Sequence, residues 1–386
     1  MTANVVIDNA TIVHRERAAA TRLAFTDGRI ASAVPGALRL DLAGHLVFPG
    51  LVNAHDHLHL NCIPPLVHAA PFPNSYAWID AFEHHHDRPE VKAAASIPRD
   101  VRHWHGALKN ILCGATTVIH HDPWHEAFDL ADFPVRVGGN RHWSHSLLLG
   151  QSRSDHPPRY GPDVVASFRA TPSTEHWAIH LAEGTDDVAG RELAALDALG
   201  CLAGNTMLVH GVGMSESDID RMIVYGASVT WCPASNLGML GRTLDPRRLF
   251  NAGRLSLGTD SRLTGSHTLL DEMRIAARNS DLTAREIFRL VSRRDGGLIP
   301  GLPADCIILA DVTDPYDALL AARRSDLRAV VRNGRPVIAD HDFAEWFAHC
   351  GIETTEVFLD DAPKLMARAL CRPEATALER GLRMAS

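Results

Sequence analysis

Between residues 51 and 259, short apolar runs alternate with helical stretches, and this alternation narrows the fold more than any other feature of the chain. Strands are predicted at 51–55, 116–120, 134–138, 176–180, 207–210, 227–231 and 255–259. Helices are predicted at 186–199, 215–225 and 268–279; in the first, Val188, Leu193 and Leu196 share roughly one face. Repeated strand–helix units build a parallel sheet, and about eight of them close a barrel. An eighth strand must lie within 139–175, where 145–149 (HSLLL) fits best, although no helix separates it from the strand at 134–138. The fold class is therefore read as α/β, a (β/α)8 TIM-type barrel over residues 49–301.

Both ends are β-rich. Residues 1–48 contain VVID, TIV, RLAF and ASAV, broken by Asp27-Gly28, Pro35-Gly36 and Gly44. Residues 302–340 contain CIILAD and a hairpin signal, Asn333-Gly334. The two segments are expected to form one small β-sandwich domain. In the tail, 341–386, Leu365, Met366 and Leu370 stand at helical spacing. It is read as a C-terminal helical tail that packs on the barrel or on a second subunit in a homodimer.

Composition excludes some classes. A net charge of -8 without a Lys/Arg cluster gives no nucleic-acid footprint. No apolar run is long enough to span a bilayer, and the start lacks the basic and apolar regions of a signal peptide. Seven scattered cysteines without CxxC pairs suit a cytoplasmic location. The partner expected is a small-molecule substrate.

Four of the apolar runs end in potential ligands. His55 and His57 close FPGLVNAHDHLH; alternate residues of a strand point the same way, so both imidazoles can face one metal. HWAIHLAEGTDD places His180 at a strand end and Glu183 three residues later. Such a pair suits metal-assisted hydrolysis, with the carboxylate ferrying a proton between water, substrate and leaving group. Taken alone, Glu183 could equally complement a helix N-terminus. MLVHG ends at His210, either a ligand or a group that polarises the substrate; LSLGTDS ends at Asp260, which can bind metal and accept a proton. Active sites of barrels lie at the C-terminal strand ends, where all of these fall.

At these residues the chain resembles the amidohydrolase superfamily, in the branch of triazine hydrolases and guanine, cytosine and adenosine-derivative deaminases. PGLVNAHDH, HLAEG, LVHG, WCPASN and LGTDS carry the likeness in order, with GLPADCIIL and VVRNGRPV near its end. The resemblance implies that His55, His57, His180 and Asp260 hold one divalent metal ion, zinc first and iron second. It implies that Glu183 moves protons, that His210 orients water or polarises substrate, and that Asn236 supports a neighbouring strand end. A second bridged ion is not expected, because no lysine occurs between residues 110 and 363 and HSLLL carries no acid. The activity implied is hydrolysis of a non-peptide C–N bond, in particular deamination of an amino-substituted N-heterocycle. Cyclic-amide or carbon–halogen hydrolysis at the same site is the alternative, and a non-catalytic metal-binding or scaffold protein a more distant one. Substrate contacts are expected from the loop 58–85 and nearby residues: His59, Tyr76, Trp78, His120, His121 and Trp143. Tyr76, Trp78 and Phe82 can stack on a flat ring or simply fill the core of the loop.

Overall fold

The computed structural model describes residues 4–32, 36–138, 142–151, 157–311 and 314–385. The end of the predicted ASAV strand and Pro35 of the turn after it lie outside the described residues.

Parallel strands follow one another in chain order in two sheets. The first sheet holds Leu51–Asp56, Ala115–His120 and Arg136–Gly138. The second holds His142–Ser146, Trp177–Leu181, Thr206–His210, Ser228–Trp231 and Leu255–Leu257. Beyond the last strand, the Asp260 N–H donates to the His55 carbonyl at 3.1 Å and so reaches back to the first. Gly258 allows that approach, since a Cβ there would stand 2.7 Å from His55 Cβ.

The eighth strand falls inside the expected window but not on the expected residues: it is His142–Ser146, not 145–149. Leu147–Leu149 belong to a turn closed by the Gly150 N–H on the Ser146 carbonyl at 2.8 Å. A Cβ on Gly150 would meet Ser144 Oγ at 2.2 Å, so only glycine fits. The apolar run LLL misled because Leu147 and Leu149 are buried in a turn, with Leu148 exposed between them, while HWSHS forms the strand. Only three residues separate Gly138 from His142, too few for a helix.

The terminal segments meet in one sheet. His45–Pro49 pairs antiparallel with Cys306–Ala310, which continues to Ala329–Arg332 and, through the Asn333-Gly334 turn, to Arg335–Ala339. Both turn residues have positive φ, 50° and 70°, as a two-residue hairpin requires. A second sheet of four strands carries Val5–Asp8, Leu23–Thr26, Arg29–Ala31 and Leu38–Asp41.

The helical tail is corrected. Leu365 and Met366 lie on a strand, Ala362–Ala367, paired with Thr354–Leu359 and docked on Arg335–Ala339. Leu370 ends a 3-10 turn, and the helices present, Ala344–His349 and Pro373–Leu378, are short. Asp360 and Asp361, at φ 48° and 68°, form the hairpin turn between the two strands. Aspartate tolerates that conformation, and the Asp-Asp pair was the overlooked turn signal. Lys364, buried on this strand, pairs with Asp340 and donates to the Leu327 carbonyl at 2.9 Å.

Candidate metal centre

The first parallel strand delivers two imidazoles to one point. His55 and His57 lie on one side, while Asp56 points away and accepts from Lys109 Nζ (3.0 Å), Asn110 (2.8 Å) and Asn61 (2.9 Å). This buried ion pair anchors the strand end from behind. His180 comes from the fifth parallel strand. Its Nε2 stands 3.3 Å from His55 Nε2 and 3.3 Å from His57 Nε2. Asp260 Oδ1 lies 3.8 Å from His55 Nε2 and 3.7 Å from His57 Nε2. Ligands ~2.05 Å from a tetrahedral ion stand about 3.3 Å apart, so the histidine spacing is that of a coordination shell.

Hydrogen bonding fixes how these rings present themselves. His57 Nδ1 faces Asp122 Oδ2 at 2.6 Å, and His180 Nδ1 faces the His145 carbonyl at 2.7 Å. Both partners are acceptors, so both Nδ1 atoms carry protons and both Nε2 atoms face inward, as the atoms that would bind a cation. Burial lowers the pKa of His57, but Asp122 and Asp260 outweigh it and hold it at about 9; burial and the surrounding imidazoles keep His180 well below its ordinary value. A divalent cation suits the same Nε2 atoms, and the donor set of three imidazoles and a carboxylate fits zinc or iron.

Asp260 sits at φ 55°, a turn that swings its carboxylate back over the strand ends. Oδ2 accepts from Ser235 (2.8 Å) and Thr264 (2.7 Å), and Oδ1 from the Ser261 N–H (2.7 Å). Burial pushes its pKa up, but His57, His210 and these donors outweigh that and leave it lowered. Beside it, Glu183 Oε1 lies 3.2 Å from His210 Nε2, and His210 Nδ1 donates to Asn236 Oδ1 at 2.8 Å. Burial raises the Glu183 pKa against the pull of His210. His210 also has positive φ, 77°, as does Ala182, 53°, just before Glu183. The Ala182 N–H donates to Glu192 Oε2 at 2.6 Å, holding the turn that presents Glu183.

A cavity of about 310 Å³ opens onto these groups. Trp78 and Phe82, stacked with ring centroids 5.1 Å apart, form its apolar wall, and Tyr160, Leu263 and Met239 add to it.

No family model matches the chain. The chain is similar to the 5-methylthioadenosine/S-adenosylhomocysteine deaminase of Haloarcula marismortui, 26% identical over 65% of this chain and 66% of that protein. It is 23% identical to the protein of the same name in Natronomonas pharaonis, over 78% of this chain and 84% of the relative. Among solved structures, an atrazine chlorohydrolase from Arthrobacter aurescens complexed with zinc superimposes with a TM-score of 0.69 at 20% identity, covering 89% of this chain and 99% of that one. A zinc-bound adenosine deaminase from Xanthomonas campestris gives 0.66 at 19%, over 90% and 97%. These likenesses accord with the resemblance to the amidohydrolase superfamily that the motifs carry.

The residues named from sequence divide by position. His55, His57, His180, Asp260, Glu183 and His210 converge as described. His59 and Trp78 line the cavity with Phe82. Tyr76, His120, His121 and Trp143 do not line it. The Tyr76 hydroxyl is buried against Glu192 instead. His121 lies behind His180, ring centroids 4.3 Å apart, bonded to the Ser144 carbonyl at 3.0 Å, and Trp143 packs edge-on behind it. His120 turns away from the cavity toward His103 and His59. Sequence reasoning missed Asp122, His145, Lys109 and Glu192. Asp122 had a signal, since it follows a strand end in HisHisAsp; the others act on groups remote in sequence.

Proposed function

We propose that the chain is a hydrolase that deaminates an amino-substituted N-heterocycle, using a single divalent metal ion, zinc by preference. The ion is assigned to His55, His57, His180 and Asp260, within an irregular (β/α)8 barrel of residues 49–301. Residues 1–48 and 302–340 are proposed as its β-domain, extended by the strands of the tail. The observation that carries the proposal is the juxtaposition of the converging Nε2 atoms with the Glu183–His210 pair, which binding alone would not need.

When bound, the ion would supply Lewis acidity. Asp260, held ionised, would accept a proton from the water that attacks the carbon bearing nitrogen. Glu183, whose raised pKa lets it carry a proton, delivers it to the ring nitrogen or the departing amine. His210, fixed by Asn236, stabilises charge that develops at the reacting centre. Trp78 and Phe82 offer a flat face for the ring. A cytoplasmic location is proposed on the seven unpaired cysteines; among the described residues no helix is long and apolar enough to cross a membrane.

Ammonia release from a panel of aminopurines, including 5-methylthioadenosine, with aminopyrimidines, aminotriazines and pterins tests the reading. Release from at least one class is expected. Chloride release from chlorotriazines, or opening of cyclic amides, without any ammonia would replace deamination by the corresponding hydrolysis. Elemental analysis of protein prepared without added metal is expected to give about one equivalent per chain; two ions held by the His55–Asp260 cluster would overturn the single-ion centre.

A further inference from the structure

We propose a second metal-ion site, built by His59, His103 and His120 and separate from the catalytic centre. One nitrogen from each of the three rings lies within 4.8 Å of the others. The rings come from three elements: the 3-10 turn Leu58–Leu60, the helix Arg99–Ile111 and the end of the strand Ala115–His120. Their meeting is built into the packing. Gly106 puts the helix directly on the turn, where a Cβ would stand 2.2 Å from the Leu58 carbonyl oxygen, and His103 is carried to His59 by that contact.

Partners are few in the cluster; the nearest carboxylate is that of Asp122, whose Oδ2 stands 3.5 Å from His59 Nδ1. His103 is fully buried and His120 is 3% exposed, while the His59 side chain is 12% exposed. His59 Nδ1, both nitrogens of His103 and His120 Nε2 have no hydrogen-bond partner. Buried polar atoms are nearly always paired, so several unpaired nitrogens in three rings that meet point to a ligand that accepts lone pairs. The free side of His120 is its Nε2; its other side is tied to the Asp56 backbone by a hydrogen bond that favours a proton there. Such backbone ties orient metal-binding imidazoles. Burial and the neighbouring imidazoles hold His103 neutral, the form that binds metal.

Three imidazoles select a borderline divalent cation such as Zn2+, Co2+ or Ni2+ over Mg2+ or Ca2+. His59 lines the catalytic cavity, giving one route inward. On the opposite side, His125 lies partly exposed, its ring 4.7 Å from that of His103. An ion here would clamp the turn after His57 to the helix that carries Lys109.

The test is a Co2+ titration of the intact chain, read by bound metal after gel filtration and by the visible absorption of the ion. The wild type is expected to rise from about one equivalent to about two, and His103→Asn to stop at one. His180→Ala, with the catalytic cluster broken, is expected to bind one Co2+ that is lost in the His180→Ala/His103→Asn double variant. A wild type that saturates at one equivalent, or a second equivalent that survives in His103→Asn, overturns the proposal. Should His103→Asn fail to fold, the wild-type and His180→Ala titrations still decide: no uptake beyond the first ion in the former, or none in the latter, refutes the site.

Discussion

Glu183→Gln is expected to keep its fold and its metal and to lose roughly 10²–10⁴ in turnover, the usual share of general acid–base catalysis. Gln preserves the size of the side chain and a polar contact with His210 Nε2, now 3.2 Å from a carboxylate oxygen. What disappears is the proton carrier. His180→Ala differs in kind. His180 Nε2 is the shared neighbour of His55 and His57, and removing it leaves two imidazoles and Asp260 without the central donor. Metal content and activity should fall together, with activity undetectable at the metal concentrations that saturate the wild type. Metal analysis beside steady-state kinetics separates the two. A Gln variant that loses metal would make Glu183 a ligand; one that turns over normally would move the proton transfer to His210.

The proposed ligand cluster was legible because its members stand at the ends of apolar runs. A run of five or six residues followed by His or Asp identifies a strand end even without an alignment, and HxH adds the two-residue period of a strand. The supports were less legible. Asp122 reaches His57 across 65 residues and is marked only by its place just past a strand end, while Glu192 acts on the Ala182 backbone from a later helix and has no local mark. Trp143 and His121 were read as substrate contacts because they are aromatic and near a strand end; they stack behind His180 instead, as core. In the fold, alternation gave the strands with separate helices, whereas HWSHS escaped notice because its polar residues occupy a strand normally apolar. The tail failed for another reason: leucines at 365 and 370 fit a helix or a strand equally over so short a window, and the Asp360-Asp361 turn decides.

Glu379→Ala is expected to be the most destabilising single substitution in the tail, costing ~3–5 kcal/mol, as breaking a buried ion pair does. Glu379 is 3% exposed and accepts from Arg262 through both terminal nitrogens at 2.8 Å, from His105 Nε2 at 3.1 Å, and from Arg324. Truncation strands two buried guanidinium groups. Arg262 also matters to the metal centre: it follows Asp260 by two residues, and its N–H donates to Asn61 Oδ1, whose amide holds Asp56. The tail therefore braces the Asp260 loop from outside, and metal affinity should weaken in parallel with stability. The pH dependence has a definite sign. Burial opposes ionisation of Glu379, but His105 and Arg262 outweigh it and hold its pKa below the ordinary carboxylate value. Its stabilisation is then complete above about pH 5, where the unfolded carboxylate is also ionised, and declines as the pH falls through and below the ordinary carboxylate range. Denaturant unfolding of wild type and variant from pH 7 down to 3 should show a gap that narrows with acid. A gap that stays constant, or widens, would show that Glu379 stabilises by packing and not by charge.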